Sequence, residues 1–348
     1  VSIGGSIGGL TAAIKMSETY TKVYLCDGYN YDSKPSHKGK TRGLRTMNLS
    51  DELLDVVEEG WKYWETLGIQ NQFITDSIVH YGNTHYQKNR NAIFEKNRQT
   101  LLYEEIEPGV VKEHTGVYLL QSIIEQLYDI IATISNIEIL HMKVYKIDTF
   151  LQKNVVHVKG MLFKGKQIEC DYCVCCIGNG ILDVVLNIDI IKPIPIWNEF
   201  SYYYIPDHKL TTGLWYWGST EDDNQLGFYV MPETKDVIKV ASDTSFVVES
   251  ISNENYEKYN QHKDLFVKEA LKKLYTSKVN EECWYCVGPF VQGSNNLKIF
   301  AFGGYGYLVP GLILRILRNE SIPNYPGLDK YTCDKNYHDY CTFLYSNL

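Results

Sequence analysis

The chain has 348 residues, of which 44% are hydrophobic and 22% are charged, and its formal net charge is −8. This composition is that of a folded chain long enough for one large domain or two interleaved ones. The acidic balance and the dispersed basic residues argue against a nucleic-acid partner, and no apolar run reaches the roughly 18 residues that a membrane span needs. We expect a protein that is neither secreted nor membrane-spanning, with a few residues preceding Val1.

The nine cysteines are an odd number without the spacing of a secreted disulfide scaffold, which indicates a reducing compartment. Four of them lie in or beside one apolar run, from Cys170 to Cys176. Zinc is disfavoured there because alternate strand positions point Cys173 and Cys176 to opposite faces. Cys283 and Cys286 have C-x-x-C spacing, but in a strand-like run rather than at a helix start.

The beginning of the chain predicts a strand, a glycine turn and a helix. A β-branched run enters the turn at Gly4, and an alanine-bearing apolar segment follows Gly9. Gly4 permits a tight turn, Ser6 is small enough for a phosphate to approach the backbone, and Gly9 lets the helix pack on its strand. Since Ser6 stands where the G-x-G-x-x-G motif has its middle glycine, a purely structural turn is the alternative.

A second strand-like run, Val23 to Cys26, is followed by Asp27. In dinucleotide-binding folds an acidic residue about 20 residues after the glycine turn binds a ribose hydroxyl. The turn and Asp27 together therefore predict a dinucleotide site.

Helical and strand patterns follow in alternation. Ser50 to Leu67 has an N-cap serine, early acidic residues and apolar residues at helical spacing, and Leu119 to Ile134 has a second broad apolar face. Between them, Phe73 to Phe94 has a short strand-like pattern. Ile137 to Leu140 and Lys143 to Ile147 are predicted as strands that return to the first sheet.

The second half of the chain contains two further strands that end in glycine turns. Asp171 to Gly180 is typical of a central parallel strand whose loop closes over a cofactor, and Leu297 to Phe302 runs through Gly303–Gly306 into a helix. Residues 196–287 are aromatic and strand-rich, with one helix near 255–275. The whole pattern predicts an α/β fold: a Rossmann-like nucleotide-binding domain interrupted by a β-rich domain of α+β type with a mixed sheet.

Segments over nearly the whole chain resemble, in the same order, the FAD-dependent amine oxidases related to monomeric sarcosine oxidase, N-methyltryptophan oxidase, pipecolate oxidase and the fructosyl amino acid oxidases. Ser36 to Arg45 resembles the family's S-H-x-G-x-T-R-x-x-R loop beneath the flavin. Gly227 to Val240 resembles the segment that delivers an oxygen-activating lysine, here Lys239. Cys283 to Tyr285 resembles the place where members tether FAD through a cysteine thioether.

The resemblance implies hydride transfer from the carbon next to nitrogen to flavin N5, hydrolysis of the resulting imine, and reoxidation by O2 to give hydrogen peroxide. Lys239 would stabilise the charge that develops on oxygen, and Arg42 would stabilise negative charge on the reduced flavin. Arg45 would hold a substrate carboxylate. The residue-level alternatives are that Lys239 is a solvated strand lysine and that Cys283 and Tyr285 belong to the core.

The implied FAD-binding domain comprises residues 1–75, 116–195 and 289–348, and the substrate domain comprises residues 76–115 and 196–288. The implied catalytic residues are Lys239, Arg45, Tyr285 and Lys38. The implied contacts to FAD, which is covalent if Cys283 is the anchor, are Gly4, Gly5, Ser6, Ile7, Gly9, Asp27, His37, Thr41, Arg42, Val144, Gly178, Cys283, Gly303, Gly304, Tyr305, Gly306 and Leu308.

Three positions depart from the family pattern. Lys38 stands where sarcosine-oxidase-like members have a second histidine, Leu308 where the last glycine loop continues into a carboxylate-binding lysine, and Asp243 where sarcosine oxidase has a pocket histidine. Because a cation that would bind the substrate carboxylate is replaced by an apolar group, sarcosine itself is disfavoured as the substrate. A bulkier or aromatic secondary amine fits better.

Two other activities stay open at this point: an FAD-dependent monooxygenase of the aromatic hydroxylase type that uses NAD(P)H, and a protein of this fold that is not an amine oxidase. Ser346-Asn347-Leu348 is similar to the S-K-L peroxisomal signal with Asn in place of Lys, so cytoplasm and peroxisome are both expected locations. We expect a monomer that acts on a small-molecule amine and O2, with no metal and no nucleic-acid or membrane partner.

Overall fold

The computed structural model describes residues 1–28, 39–44, 46, 49, 51–69, 73–81, 103–150, 155–161, 166–188, 195–216, 227–242, 246–247, 253–286, 289–294, 296–302 and 306–323. These residues form four sheets and several α-helices, which are numbered here in chain order. The predicted α/β fold with mixed sheets is confirmed.

The first sheet carries the beginning of the chain. Its six strands are β1 (Ser2–Ile3), β2 (Val23–Cys26), β8 (Ile137–Leu140), β12 (Cys173–Cys175), β20 (Pro289–Ser294) and β21 (Leu297–Phe302), in the order β20-β21-β12-β1-β2-β8. All neighbouring pairs are parallel except β20 and β21. Because β2 and β12 both lie parallel to β1, the carboxyl ends of these three strands meet at one edge, where ligands bind in open α/β sheets.

Four helices cover one face of this sheet and share one apolar core with it. They are α1 (Ile7–Ser17), α2 (Asp51–Thr66), α3 (Leu120–Thr133) and α5 (Val309–Leu317). The sequence-based bounds of α2 and α3 are confirmed to within one residue at each end. The side chains of β12 and of the next residue alternate as expected, since Val174 and Cys176 face the helices while Cys173 and Cys175 face the other way.

The second sheet packs on that other face. Its strands are β9 (Lys143–Phe150), β10 (Val155–Met161), β11 (Lys166–Cys170) and β13 (Val185–Leu186), in the order β11-β10-β9-β13. The prediction that Lys143 to Ile147 returns to the first sheet is therefore wrong. After β8 has taken its place beside β2, the apolar residues Val144 and Ile147 are buried by folding onto the face of that sheet rather than by extending it.

The third sheet is the β-rich part of the molecule. Its strands are β4 (Ile78–Tyr81), β5 (Tyr103–Glu107), β6 (Val110–Glu113), β14 (Pro195–Tyr204), β15 (Gly213–Tyr216), β16 (Phe228–Thr234), β17 (Val237–Ser242), β18 (Phe246–Val247) and β19 (Ser277–Cys286). A two-stranded sheet of β3 (Thr41–Gly43) and β7 (Val117–Leu119) lies beside it, and a Cβ added to Gly43 would come within 3.0 Å of Met231 Cε.

Helix α4 (Asn253–Leu265) packs near β14 and continues into a π-helical turn, Phe266–Ala270. The helical stretch is shorter than predicted. Lys272 takes a left-handed conformation with φ of +52°, which ends the helix before Tyr275.

A buried ion pair links α4 to β14. Lys263 Nζ lies 2.6 Å from Glu199 Oε1 and 2.6 Å from Ser201 Oγ, and both charged side chains are at most 1% exposed. The hydroxyl of Tyr256 donates to Glu199 Oε2 at 2.8 Å. Burial lowers the pKa of Lys263 to about 8, although the Glu199 carboxylate acts in the opposite direction. The network holds the helix at one position along the strand.

We expect the Lys263→Met substitution to lower the free energy of unfolding by about 3–5 kcal/mol, because Glu199 then stays buried without its cation. The Lys263→Met/Glu199→Leu double variant should recover most of that loss, since neither charge remains. Urea denaturation followed by circular dichroism measures both. Equal destabilisation of the single and double variants would contradict a role for the ion pair.

Candidate functional site

The turn after β1 has the geometry of a phosphate-binding turn. Gly4 has φ of +120°, a region that favours glycine, and its N–H donates to the Cys26 carbonyl oxygen at 2.8 Å. A Cβ on Gly9 would overlap the Gly4 carbonyl oxygen, so glycine is what allows α1 to approach β1 this closely. The N-terminus of α1 consequently points to the edge where β1, β2 and β12 end. Its N–H groups and partial positive charge suit a phosphate.

Asp27 follows β2 directly and lies beside this turn. The hydroxyl of Tyr128 on α3 donates to Asp27 Oδ2 at 2.6 Å, and a Cβ on Gly5 would overlap Oδ1. Ser6 is the N-cap residue of α1 and Ile7 is its first residue. The predicted nucleotide-site residues from Gly4 to Gly9 thus meet Asp27 in space.

Four further predicted contacts have different surroundings. Gly178 follows β12 with φ of +54° and begins a 3₁₀ helix at the same edge of the sheet. A Cβ on Gly306 would lie 3.6 Å from Ile7 Cδ1, so this residue is close to the start of α1. Val144 and Leu308 are both fully buried in apolar clusters, so their side chains belong to the core.

Lys239 on β17 is buried and points at the β3 strand. It is 1% exposed, its ammonium donates to the Thr41 carbonyl oxygen, and Nζ lies 3.1 Å from Thr41 Oγ1. The alternative of a solvated strand lysine is therefore wrong. A buried ammonium needs polar partners, and here they come from the segment that resembles the flavin loop.

Glu233 and Arg42 complete a charged cluster around Thr41. The Glu233 carboxylate accepts the Lys40 N–H at 2.7 Å and the Thr41 hydroxyl, and its Oε2 is 3.8 Å from Lys239 Nζ. Arg42 Nη1 donates to the Thr41 carbonyl oxygen at 2.7 Å. Two cations and a carboxylate are thereby held around one short backbone segment.

Two aromatic side chains, the buried Phe200 and the partly buried Tyr202, lie next to these charges. The Arg42 guanidinium and Lys239 Nζ lie 5.2 and 5.3 Å from the centroid of the Phe200 ring, within cation–π distance. Tyr202 lies directly opposite Lys239 across the β14–β17 pair, and its hydroxyl donates to Glu281 Oε2 at 3.0 Å. Burial, followed by the Glu281 and Glu233 carboxylates, raises the pKa of Tyr202, so the phenol stays protonated at neutral pH.

Sequence reasoning missed Glu233, Phe200, Tyr202 and Tyr128. The β16–β17 register shifts between Pro232 and Thr234, so period-two alternation along the sequence does not assign Glu233 to a face. All four residues are recognised only from strand pairing or helix docking, which the sequence does not show.

Several predicted site residues lie outside the described residues, namely His37, Lys38, Arg45, Gly303, Gly304 and Tyr305, as does Asp243. Cys283 and Tyr285 lie on β19, opposite Asn198 and Ile196 of β14, but their side chains are outside the description too. The roles of these residues stay predictions.

Within the described ranges, no group of three or more His, Cys, Asp and Glu side chains is arranged to hold a metal ion. No helix in that part of the chain is both long enough and apolar enough to cross a membrane.

No family model matches the chain, and no curated protein matches its sequence. Solved structures do match it. Glycine oxidase from Geobacillus kaustophilus is 11% identical with a TM-score of 0.67, over 96% of this chain and 97% of that one. L-proline dehydrogenase from P. horikoshii is 14% identical with a TM-score of 0.68, over 97% and 96%. The fructosamine oxidase from Aspergillus fumigatus is 11% identical with a TM-score of 0.65, over 95% and 88%.

The chain has the fold of the FAD-dependent amine oxidases. The resemblance inferred from the sequence motifs is confirmed at this level. The described residues also fit the ADP half of FAD: the close packing of the glycine turn places the first N–H groups of α1 at the carboxyl end of β1, where they suit a pyrophosphate, and the Asp27 carboxylate lies next to them.

Proposed function

We propose that the chain is an FAD-dependent oxidase of a secondary or N-substituted amine that releases an imine and hydrogen peroxide. The main observation in its favour is the buried ammonium of Lys239, which donates to the same Thr41 carbonyl oxygen of the flavin-loop segment as the Arg42 guanidinium. The names of the similar structures, glycine oxidase, L-proline dehydrogenase and fructosamine oxidase, are consistent with an amine substrate. FAD bound here would supply hydride acceptance at N5 and electron transfer to O2.

In this proposal the residues of the first sheet hold the ADP half of the cofactor. The N–H groups at the start of α1 bind the pyrophosphate, and Asp27 accepts the ribose hydroxyls. Residues 1–75, 116–195 and 289–348 form the cofactor domain, and residues 76–115 and 196–288 form the substrate domain.

Lys239 and Arg42 provide fixed positive charge near the flavin half of the cofactor. A charge that is already oriented stabilises developing negative charge without reorganisation, and the effect is largest where water is excluded. Glu233, 3.8 Å from Lys239 Nζ, offsets part of that charge and orients the Thr41 hydroxyl. The reactivity toward O2 would then depend on the balance between these groups.

The proposed substrate is a bulky or aromatic N-substituted amine with an amino-acid-like core. The buried Leu308 supplies no cation where the family has its lysine, so a substrate carboxylate would depend on Arg45 and Lys38. Tyr202, which is partly buried, would offer a flat ring with one hydroxyl over the buried Phe200, and Tyr285 would line the substrate pocket. His37 would bind FAD from the loop, and Cys283 would anchor it covalently.

The purified chain is expected to be yellow and to retain FAD after acid precipitation. In the Cys283→Ala variant the flavin should be released by acid, because the thioether cannot form. The matched control is Cys286→Ala on the same strand, which should keep its flavin. Covalent flavin in Cys283→Ala would exclude that residue as the anchor, and a wild-type chain without flavin would contradict the proposed function.

Lys239→Met is expected to slow the reaction of the reduced enzyme with O2 by about 100-fold, because fixed positive charge near the reacting atoms is lost. Anaerobic reduction by the amine should change much less. Stopped-flow absorbance measures the two half-reactions separately. Lys278→Met removes a lysine that instead bonds to Asp264, and it should affect neither rate. Equal slowing of both half-reactions by Lys239→Met would remove Lys239 from the oxygen role.

A peroxide-coupled screen of N-methyl, cyclic and glycated amino acids identifies the substrate class. We expect turnover with a bulky or aromatic secondary amine to exceed that with sarcosine, because Leu308 stands in place of a carboxylate-binding lysine. No peroxide from any amine, together with anaerobic bleaching of the flavin by NADPH, would instead indicate a monooxygenase.

A further inference from the structure

The hydroxyl of Tyr128 joins α3 to both parts of the nucleotide site. It donates to Asp27 Oδ2 at 2.6 Å and lies 3.4 Å from the Gly5 carbonyl oxygen. A Cβ on Gly5 would approach that hydroxyl to 2.5 Å and would overlap Asp27 Oδ1. The turn, the carboxylate and the phenol are therefore in mutual contact, and Gly5 is the residue that makes room for them.

This contact changes what Asp27 can do. A hydroxyl that donates to a carboxylate makes one of the stronger hydrogen bonds in proteins, and a carboxylate accepts about four such bonds in total. Ribose hydroxyls are therefore compatible with the bond from Tyr128. Because that bond fixes the plane of the Asp27 carboxylate before a nucleotide arrives, less side-chain freedom is lost on binding.

We propose that Tyr128 is a positioning residue for the adenosine half of the cofactor: it orients Asp27 and thereby sets the affinity for ligands that carry an adenosine diphosphate group. The inference rests on the proposed function for the identity of the cofactor. It assigns Tyr128 no contact with the flavin, so its effect should be confined to one half of FAD.

A second tyrosine provides a matched control. The hydroxyl of Tyr63 on α2 donates to Glu18 Oε1 at 3.1 Å, so it also joins a neighbouring helix to a carboxylate near α1. Glu18 is the C-cap residue of α1, at the opposite end from the glycine turn. Tyr63→Phe therefore removes a bond of the same type without affecting the nucleotide site.

The test measures binding of FAD, FMN and ADP to the flavin-free full chain by isothermal titration calorimetry. If the flavin proves covalent, every variant also carries Cys283→Ala. Tyr128→Phe should lower the affinity for FAD and for ADP by about tenfold, as expected for loss of a hydrogen bond to a charged group. It should leave the affinity for FMN unchanged. Asp27→Asn should show the same selective loss, and Tyr63→Phe should change none of the three affinities.

A double-mutant cycle then tests whether Tyr128 acts through Asp27. In the Asp27→Asn background, Tyr128→Phe should add less than about a threefold loss of ADP affinity. Full additivity of the two losses would overturn the inference, as would equal weakening of FAD and FMN or unchanged ADP affinity in Tyr128→Phe.

The measurement of ADP binding distinguishes failure of this inference from failure of the proposed function. If the wild-type chain binds ADP but not FAD, the proposed function fails, and the effect of Tyr128→Phe on ADP still decides the role of Tyr128. If it binds neither, both are overturned.

Discussion

The contact between Gly9 and the carbonyl oxygen of Gly4 is the constraint on which the nucleotide end of the molecule depends. Any side chain at Gly9 would push α1 away from β1, and Ser2 Oγ, which donates to the Gly9 carbonyl oxygen at 2.6 Å, would lose its acceptor. Because β1 has parallel neighbours on both sides, a ligand at the start of α1 also meets the residues that follow β2 and β12. The parallel pairing thus brings Asp27 and Gly178, which are far apart in sequence, to the end of α1 that the Gly4–Gly9 contact positions.

The opposite end of the site is organised by burial of charge rather than by close packing. Lys239 and Arg42 both donate to the carbonyl oxygen of Thr41, so two positive charges share one acceptor. Removing charged groups from water is costly unless they are paired, and Glu233 provides the compensating carboxylate. The lysine that carries the proposed oxygen chemistry therefore belongs to a group of two cations and one carboxylate, and Glu233 reduces the positive potential that Lys239 produces.

The parts of this fold that were predictable from sequence depend on local chemistry. The bounds of α2 and α3 follow from helical periodicity, and the turn at Gly4 follows from a backbone conformation that glycine tolerates. The failure at β9 has a physical reason: a strand pattern shows that one face is buried but not which sheet buries it. The role of Tyr128 could not be predicted from the sequence, because Asp27 is 101 residues away and only the docking of α3 brings the two side chains together. The roles of Arg45 and Cys283 rest on family resemblance alone.

Strand β14 lies between the charged cluster on one face and helix α4 on the other. Phe200 and Tyr202 face the charged cluster, whereas Glu199 and Ser201 face α4 and bind Lys263. Since side chains alternate along a strand, a one-residue slip would exchange these two sets and bring Glu199 to the site face. The buried pair with Lys263 opposes that slip, because in the slipped register the buried Lys263 ammonium would lose its carboxylate partner. A charge pair that contributes little net stability can in this way keep Phe200 and Tyr202 facing the charged cluster.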